Sequence, residues 1–523
     1  MWMTSRGALD PGFDGDGMAT TAFGTGADTP YGVAVQTDGR IVVAGTALIG
    51  ANNDVAVARY LTSGAPDPSF DGDGKVTTTV AAATDEARAV AVQSDGKIVV
   101  AGYAASGTVD DFTVLRYTTS GALDPTFDGD GIATTSFGAG SDQGRALAIQ
   151  ADGKIVVAGY SNIGGSDNDF AVARYNADGS LDTTFDTDGR VTVGFTAGQA
   201  DQVRDVDVDA SGRIIVSGYA YNGANNDFAL MRLLTNGALD TTFDGDGRVV
   251  TDFASLAEQG RSLEIQPDGK LLLGGYSRVG TTDDFAVVRY TNTGALDASF
   301  ASGGKLTVPV GAATDQASGI SLQPDGTVVL AGYSFNGTRD NFALVRITSD
   351  GTVDTRFGTN GVSTYDAWPG ASQASAVTLE TDGRLVATGT VNNGSNNDFG
   401  VIRTTSPQVI PDYLDDGTAD WDTVGPTALF GVCLRSATGG ASAGAGAWTA
   451  GPAATCPATD GSFWNAIPAT QPGSKVAFAS TSDAQGGGSD PTVNLRFGFR
   501  SRPDQFPGTY VAPIVFTVVA PNV

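Results

Sequence analysis

The chain repeats itself. A phrase of the form GALDPTFDGDG returns with its phenylalanine at Phe13, Phe70, Phe127, Phe185, Phe243, Phe300 and Phe357, always 57 or 58 residues apart. The glycine of a tight turn inside QSDGKIVVAG keeps the same period, from Gly39, Gly96 and Gly153 to Gly383. So does an arginine, at Arg59, Arg116, Arg174, Arg232, Arg289, Arg346 and Arg403. Three landmarks in constant register define seven units. A period of this length means supersecondary units that bury their apolar faces only against one another.

Each unit reads as four short β segments. In the second these are Ala89–Gln93, Lys97–Tyr103, Phe112–Tyr117 and Ile132–Phe137, alternating, rich in β-branched residues and bounded by Gly, Asp and Ser. The SDG between the first two supplies a hairpin turn, and no window carries a helical apolar period. The fold class is all-β: a seven-bladed β-propeller of four-stranded blades. A solenoid would need polar terminal caps, and the sequence has none. The frame also predicts ring closure. Met18–Phe23 matches the fourth segment, whereas the last unit stops after Phe399–Arg403 without one. The N-terminal strand is therefore expected to complete the seventh blade and remove an exposed edge. The organisation expected is a propeller over 1–405, a linker over 406–412 and a β-sandwich-like domain over 413–523 with strand-like stretches such as Lys475–Ala479 and Tyr510–Val519.

Leu123–Gly131, Ile149–Tyr160 and Asn168–Tyr175 together resemble the delta-60 repeat of bacterial proteins and, more remotely, NHL-type propeller repeats. The resemblance spans about residues 7–404. It implies an exported bacterial propeller, and the repeat carries no defined activity. The C-terminal GSFWNAIP and FPGTYVAPIVFTVVAP are similar to late strands of small bacterial surface β-sandwiches.

Composition narrows the chemistry. With no histidine, Ser-His-Asp and Cys-His catalysis and histidine metal ligands are excluded. Two cysteines cannot build a structural zinc site; Cys433 and Cys456 form either one disulfide or two buried thiols. A net charge of −28 with six lysines argues against nucleic acid and anionic membranes. No run approaches the ~18 apolar residues of a membrane helix. MWMTSRGALD has no apolar signal region, so a secreted or cell-surface location requires a leader upstream of this chain.

Carboxylate and Ca²⁺ chemistry survive these exclusions, and no cofactor is required. The DxDG phrases offer Asp14/Asp16, Asp71/Asp73, Asp128/Asp130, Asp186/Asp188 and Asp244/Asp246 as Ca²⁺ ligands, though without the bidentate Glu of an EF-hand; the alternative is plain turn chemistry. The recurring Arg and the Asp of LD, as in Arg59 and Asp67, are expected to form one structural ion pair per blade. Asp28, Asp85, Asp142, Asp201, Glu258 and Asp315 precede the innermost segment and suggest an acidic face for cations or for a surface glycan or protein, against the alternative of a solvated rim with Asx turns. Asp207 and Glu264 hold equivalent positions on neighbouring inner strands and are the one pair nominated for carboxylate catalysis. The function expected is non-enzymatic binding or scaffolding at the cell exterior, with a carboxylate-based hydrolase or lyase as the alternative.

Overall fold

The computed structural model describes residues 7–405 apart from 163–166, 197 and 254–255. The linker, the β-sandwich-like segment and both cysteines lie outside the described residues.

Every repeat folds as expected into a four-stranded antiparallel sheet, and seven sheets form the ring. The inner strands of blades 1 to 7 are Asp28–Val35, Asp85–Val92, Asp142–Ile149, Gln202–Val208, Glu258–Ile265, Asp315–Leu322 and Ser372–Leu379. In blade 2 the chain continues outward through Ile98–Ser106, Val109–Tyr117 and Ile132–Thr135. Second and third strands are apolar at nearly every position because each blade is covered by neighbours on both faces; Ile98, Val99, Val100 and Ala101 are all fully buried. Each core cluster therefore straddles two blades. Val42 and Val57 of blade 1 pack with Phe70, Ile98, Val100 and Leu115 on the way into blade 2. Fully burying a side chain such as Phe70 contributes about 1.5–3 kcal/mol.

The ring closes as the repeat frame predicts. Met18–Thr21 is the outer strand of blade 7 and pairs antiparallel with Asn397–Arg403, from Met18 opposite Ile402 to Thr21 opposite Phe399. The Asp10 amide also donates to the Arg403 carbonyl at 2.8 Å, and Trp368 Nε1 donates to Thr20 Oγ1 at 3.1 Å.

A buried arginine fastens each blade to the next. Arg59 Nε donates to Asp67 Oδ2 at 2.8 Å and Nη2 to Ser69 Oγ at 2.9 Å. Its Nη1 reaches the Thr119 carbonyl of the following repeat at 2.6 Å, and the guanidinium lies 4.7 Å from the centre of the Phe70 ring. The pairing recurs in every unit, including Arg403 with Asp10 across the closure. The turn that follows needs glycine at its end. Gly74 has φ +88°, and a Cβ there would meet the Asp67 amide nitrogen at 2.8 Å.

This clamp sets an expectation for stability. Burial acts to raise the Asp182 carboxyl, but hydrogen bonds from Thr184 and the Arg174 charge outweigh it and bring the group to about 2. A depressed carboxylate stabilises the fold above its unfolded value and loses that contribution as pH falls, here between about 4 and 2. At neutral pH Asp182→Ala strands the Arg174 charge in the core and should cost about 3–5 kcal/mol in urea unfolding. Asp188→Ala, which removes an exposed partner of Arg190, should cost about 1 kcal/mol or less.

Candidate functional site

All seven inner strands are bulged at one position. The register with the second strand shifts between Pro30 and Gly32, Ala87 and Ala89, Gly144 and Ala146, Val203 and Asp205, Gly260 and Ser262, Ala317 and Gly319, and Ala374 and Ala376. The skipped residues are Tyr31, Arg88, Arg145, Arg204, Arg261, Ser318 and Ser375. A bulge opposes two residues to one and flips the alternation beyond it. In blade 4, Gln202, Arg204, Asp205 and Asp207 are consequently half-buried toward the ring axis, while Val203 and Val206 are buried in the blade junctions.

Blades 3, 4 and 5 thus present Arg145, Arg204 and Arg261 side by side. None forms an ion pair with a carboxylate among the described residues, whereas Arg88 of blade 2 pairs with Glu86. Their partners are neutral. Arg145 Nη2 donates to Gln143 Oε1 at 2.6 Å and Tyr160 Oη at 3.0 Å, and Arg204 Nη2 donates to Gln202 Oε1 and Tyr219 Oη, both at 3.2 Å. The guanidinium of Arg261 lies 5.2 Å from the centre of the Tyr276 ring. The buried Nε of all three has no acceptor among the described residues. Burial, followed by the like charges of Arg261 and Arg145, pulls the Arg204 group down to about 10.

The acids on the same wall lie further along the strands and act across blades. Asp205 accepts from the Leu263 amide at 2.8 Å and Ser262 Oγ at 3.0 Å. Asp207 accepts from the Val208 amide at 2.7 Å, and Glu264 from the Leu322 amide of blade 6 at 3.3 Å. Burial, then the Asp207 and Asp205 charges, push Glu264 up to about 8. Burial raises Asp205 to about 6, and it raises Asp207 as well. The nominated Asp207 and Glu264 therefore do share one wall, each hydrogen-bonded to backbone.

The expected acidic face lies elsewhere. Asp28, Asp85, Asp142, Asp201, Glu258 and Asp315 are fully buried in the blade junctions rather than exposed on loops. The cause is that inner strands begin at Asp85 and its equivalents, four residues before Ala89 (in blade 4 at Gln202, directly after Asp201), because the bulge lets pairing continue. Asp85 Oδ2 accepts the Val80 and Ala81 amides at 2.7 and 2.9 Å, and Asp142 accepts the Phe137 amide at 2.7 Å, so these acids hold the incoming turn. Burial and the neighbouring Asp398 raise Asp28 to about 6. In the DxDG turns, Asp14, Asp71, Asp128, Asp186 and Asp244 adopt left-handed φ of 44–50°, which aspartate tolerates. Asp16, Asp73, Asp130, Asp188 and Asp246 each accept the amide two residues on at 2.9 Å. All ten are exposed turn residues whose places backbone geometry accounts for.

Six stretches, residues 36–70, 93–127, 150–185, 210–243, 266–300 and 323–357, match the family described as a domain of unknown function (DUF5122) beta-propeller. The chain is a β-propeller repeat protein. No curated protein matches this propeller. Among solved structures it is similar to a catalytically inactive virginiamycin B lyase from Staphylococcus aureus with quinupristin (10% identity, 74% of this chain and 98% of that one, TM-score 0.42). It is also similar to an ulvan lyase of a polysaccharide lyase family (8% identity, 78% and 95%, TM-score 0.41) and to a gluconolactonase from Xanthomonas campestris (17% identity, 59% and 90%, TM-score 0.31). At these identities no activity carries across to this propeller.

The arginine wall was the feature that strand alternation concealed. Comparing repeats exposes it: in the column Tyr31, Arg88, Arg145, Arg204, Arg261, Ser318 and Ser375, arginine fills four consecutive blades and is missing from the rest. The raised carboxyls give the propeller a pH signature. Groups with raised values stabilise below their unfolded values near 4 and lose that contribution as pH climbs through about 6 for Asp28, Asp201 and Asp205 and about 8 for Glu264. The melting midpoint should therefore fall between about pH 4 and 8. Glu264→Gln should flatten the upper part of that decline, read by scanning calorimetry across the range.

Proposed function

We propose that this propeller is a non-enzymatic binding protein of the bacterial cell exterior that takes an anionic group, carboxylate or sulfate, of an acidic glycan against the arginine wall of its channel. The observation that carries the reading is the set of three adjacent guanidinium groups, Arg145, Arg204 and Arg261, without carboxylate partners in a chain of net charge −28. Charge of this sign is scarce here, and grouping it without compensation raises the energy of the free protein. An anion relieves that repulsion through charge-assisted hydrogen bonds, and the planar fork of arginine suits carboxylate and sulfate alike. The glycan part of the reading rests on the half-buried amides of Gln143 and Gln202, which stand with the Tyr160 and Tyr219 hydroxyls beside the charges and can hydrogen-bond sugar hydroxyls.

Calorimetric titration with uronate-bearing, sulfated and neutral oligosaccharides of equal length tests it. The acidic ligands should bind, more weakly as salt rises, and the neutral ones should not. Arg204→Gln should lower affinity about 10–100-fold, the range of a lost charged hydrogen bond. Arg88→Gln should matter less, because Glu86 already neutralises Arg88. Equal binding of neutral ligands, or none of any, would overturn the proposal. One observation favours a second, catalytic reading. Glu264, raised to about 8, keeps its proton at neutral pH on the same wall as the carboxyl group of Asp207, and a protonated acid beside a second carboxyl group is what a hydrolase or lyase uses. Release of new reducing ends from the acidic ligands, lost in Glu264→Gln, would establish that reading instead.

A further inference from the structure

The bulged column divides the channel into two arcs. Blades 2 to 5 present guanidinium there, whereas blades 6, 7 and 1 present the hydroxyls of Ser318, Ser375 and Tyr31. All three hydroxyl residues are half-buried, and none has a hydrogen-bond partner among the described residues. Tyrosines of the arginine arc differ. Tyr103 Oη accepts from Arg88 Nη2 at 3.4 Å, and Tyr160 and Tyr219 accept from Arg145 and Arg204 at 3.0 and 3.2 Å, each within its own blade. Tyr31 is a long side chain with an unused hydroxyl.

Its ring is fixed in place. The Arg88 guanidinium carbon lies 3.9 Å from the centre of the Tyr31 ring, well inside the ~6 Å of a cation–π contact. Arg88 is paired in turn with Glu86 and lies 5.7 Å from the centre of the Tyr103 ring. It therefore serves as a platform whose charge is already balanced. Pro30 precedes the bulge only in blade 1 and locks the backbone φ there. From this seat the phenol meets the open arginines. Burial raises it above its ordinary value and Arg88 acts to lower it; Glu86 adds to the rise, and the Arg145 and Arg204 charges oppose it. Those two arginines belong to blades 3 and 4, so the hydroxyl approaches their arc from blade 1, across the channel. It keeps its proton at neutral pH and can donate it in a hydrogen bond.

We infer that Tyr31 is a further binding residue of this site, donating to an anion held by Arg145 and Arg204 and selecting sulfate esters over carboxylates. The inference rests on the anion-binding reading above and narrows its ligand. A carboxylate has two oxygens in one plane, and the planar fork of a guanidinium satisfies both from one side. A sulfate ester has three terminal oxygens arranged tetrahedrally about sulfur. When two of them face the arginine arc, the third points away from it, toward the opposite arc. Tyr31 brings a donor to that side without adding charge. Serine at the other two positions of that arc keeps it open for the sugar that carries the sulfate.

Titration calorimetry of the full chain with sulfated and uronate-bearing oligosaccharides of equal length tests the role of Tyr31. The wild type should bind the sulfated ligand at least about tenfold more tightly. Tyr31→Phe keeps the ring on Arg88 and removes only the hydroxyl. It should lower affinity for the sulfated ligand about 10–100-fold, the scale of a hydrogen bond to a charged group, and leave the uronate affinity unchanged. Its melting midpoint should match the wild type, because the hydroxyl has no partner among the described residues. Arg204→Gln should weaken both ligands. If Arg204→Gln weakens both while Tyr31→Phe weakens neither, or weakens both equally, the role of Tyr31 is overturned and the arginine wall stands. A wild type that prefers the uronate also overturns it, and a Tyr31→Phe midpoint well below wild type would assign the hydroxyl to the fold instead. Binding of no acidic ligand by the wild type would remove the function of the wall, and this inference with it.

Discussion

The fold depends on a charge that cannot be left alone. Each blade buries an arginine beneath a phenylalanine ring and satisfies it with one aspartate of its own repeat and, for six of the seven among the described residues, one carbonyl of the next. Burying a guanidinium is unfavourable unless its geometry is completed, so the group specifies which neighbour a blade accepts and at what angle. Repeating that requirement seven times turns a set of small sheets, none stable by itself, into a ring. The same logic explains why the turn phrase varies at its aspartates but never at its final glycine. The aspartates fit exposed left-handed positions that alanine also fills at Ala301, whereas the glycine lies against the backbone of the aspartate in the clamp.

Function and scaffold divide along the strands. The second and third strands are interchangeable apolar fillers between blades. The inner strand faces the axis, and its bulge turns a residue out of the hydrogen-bonded ladder at one constant height. That residue is relieved of any duty in pairing, so it is free to differ around the ring: one tyrosine, four arginines and two serines. A ring of equivalent, unconstrained positions is where a repeat protein can break its own symmetry, and here the break is cationic inside an acidic molecule.

Most of the architecture was legible in the sequence because it is written seven times. The period gave the blade number, and the missing fourth segment after Arg403 gave the closing strand Met18–Thr21. The clamp followed from the arginine and aspartate that never vary. What escaped was the inner strand's upper half. A period of two places Arg204 and Asp205 on opposite faces, whereas the bulge puts both toward the axis. The same error in strand limits placed Asp85 and its equivalents on a solvent rim, when the extended strand carries them into the junctions. Asp207 and Glu264 were found because they lie beyond the bulge, where alternation resumes.

The pairing of Met18–Thr21 with Asn397–Arg403 has a consequence for how the chain is made. The first strand of the ring to be synthesised finds its partner only when the last one emerges, nearly four hundred residues later. At roughly 5–20 residues per second, that leaves it unpaired for about 20–80 seconds, with the growing stack open at both ends. During that interval blades already formed present the edges that invite association between nascent chains. Ring closure is thus a clock as well as a lock: it sets the time for which the unfinished protein needs protection.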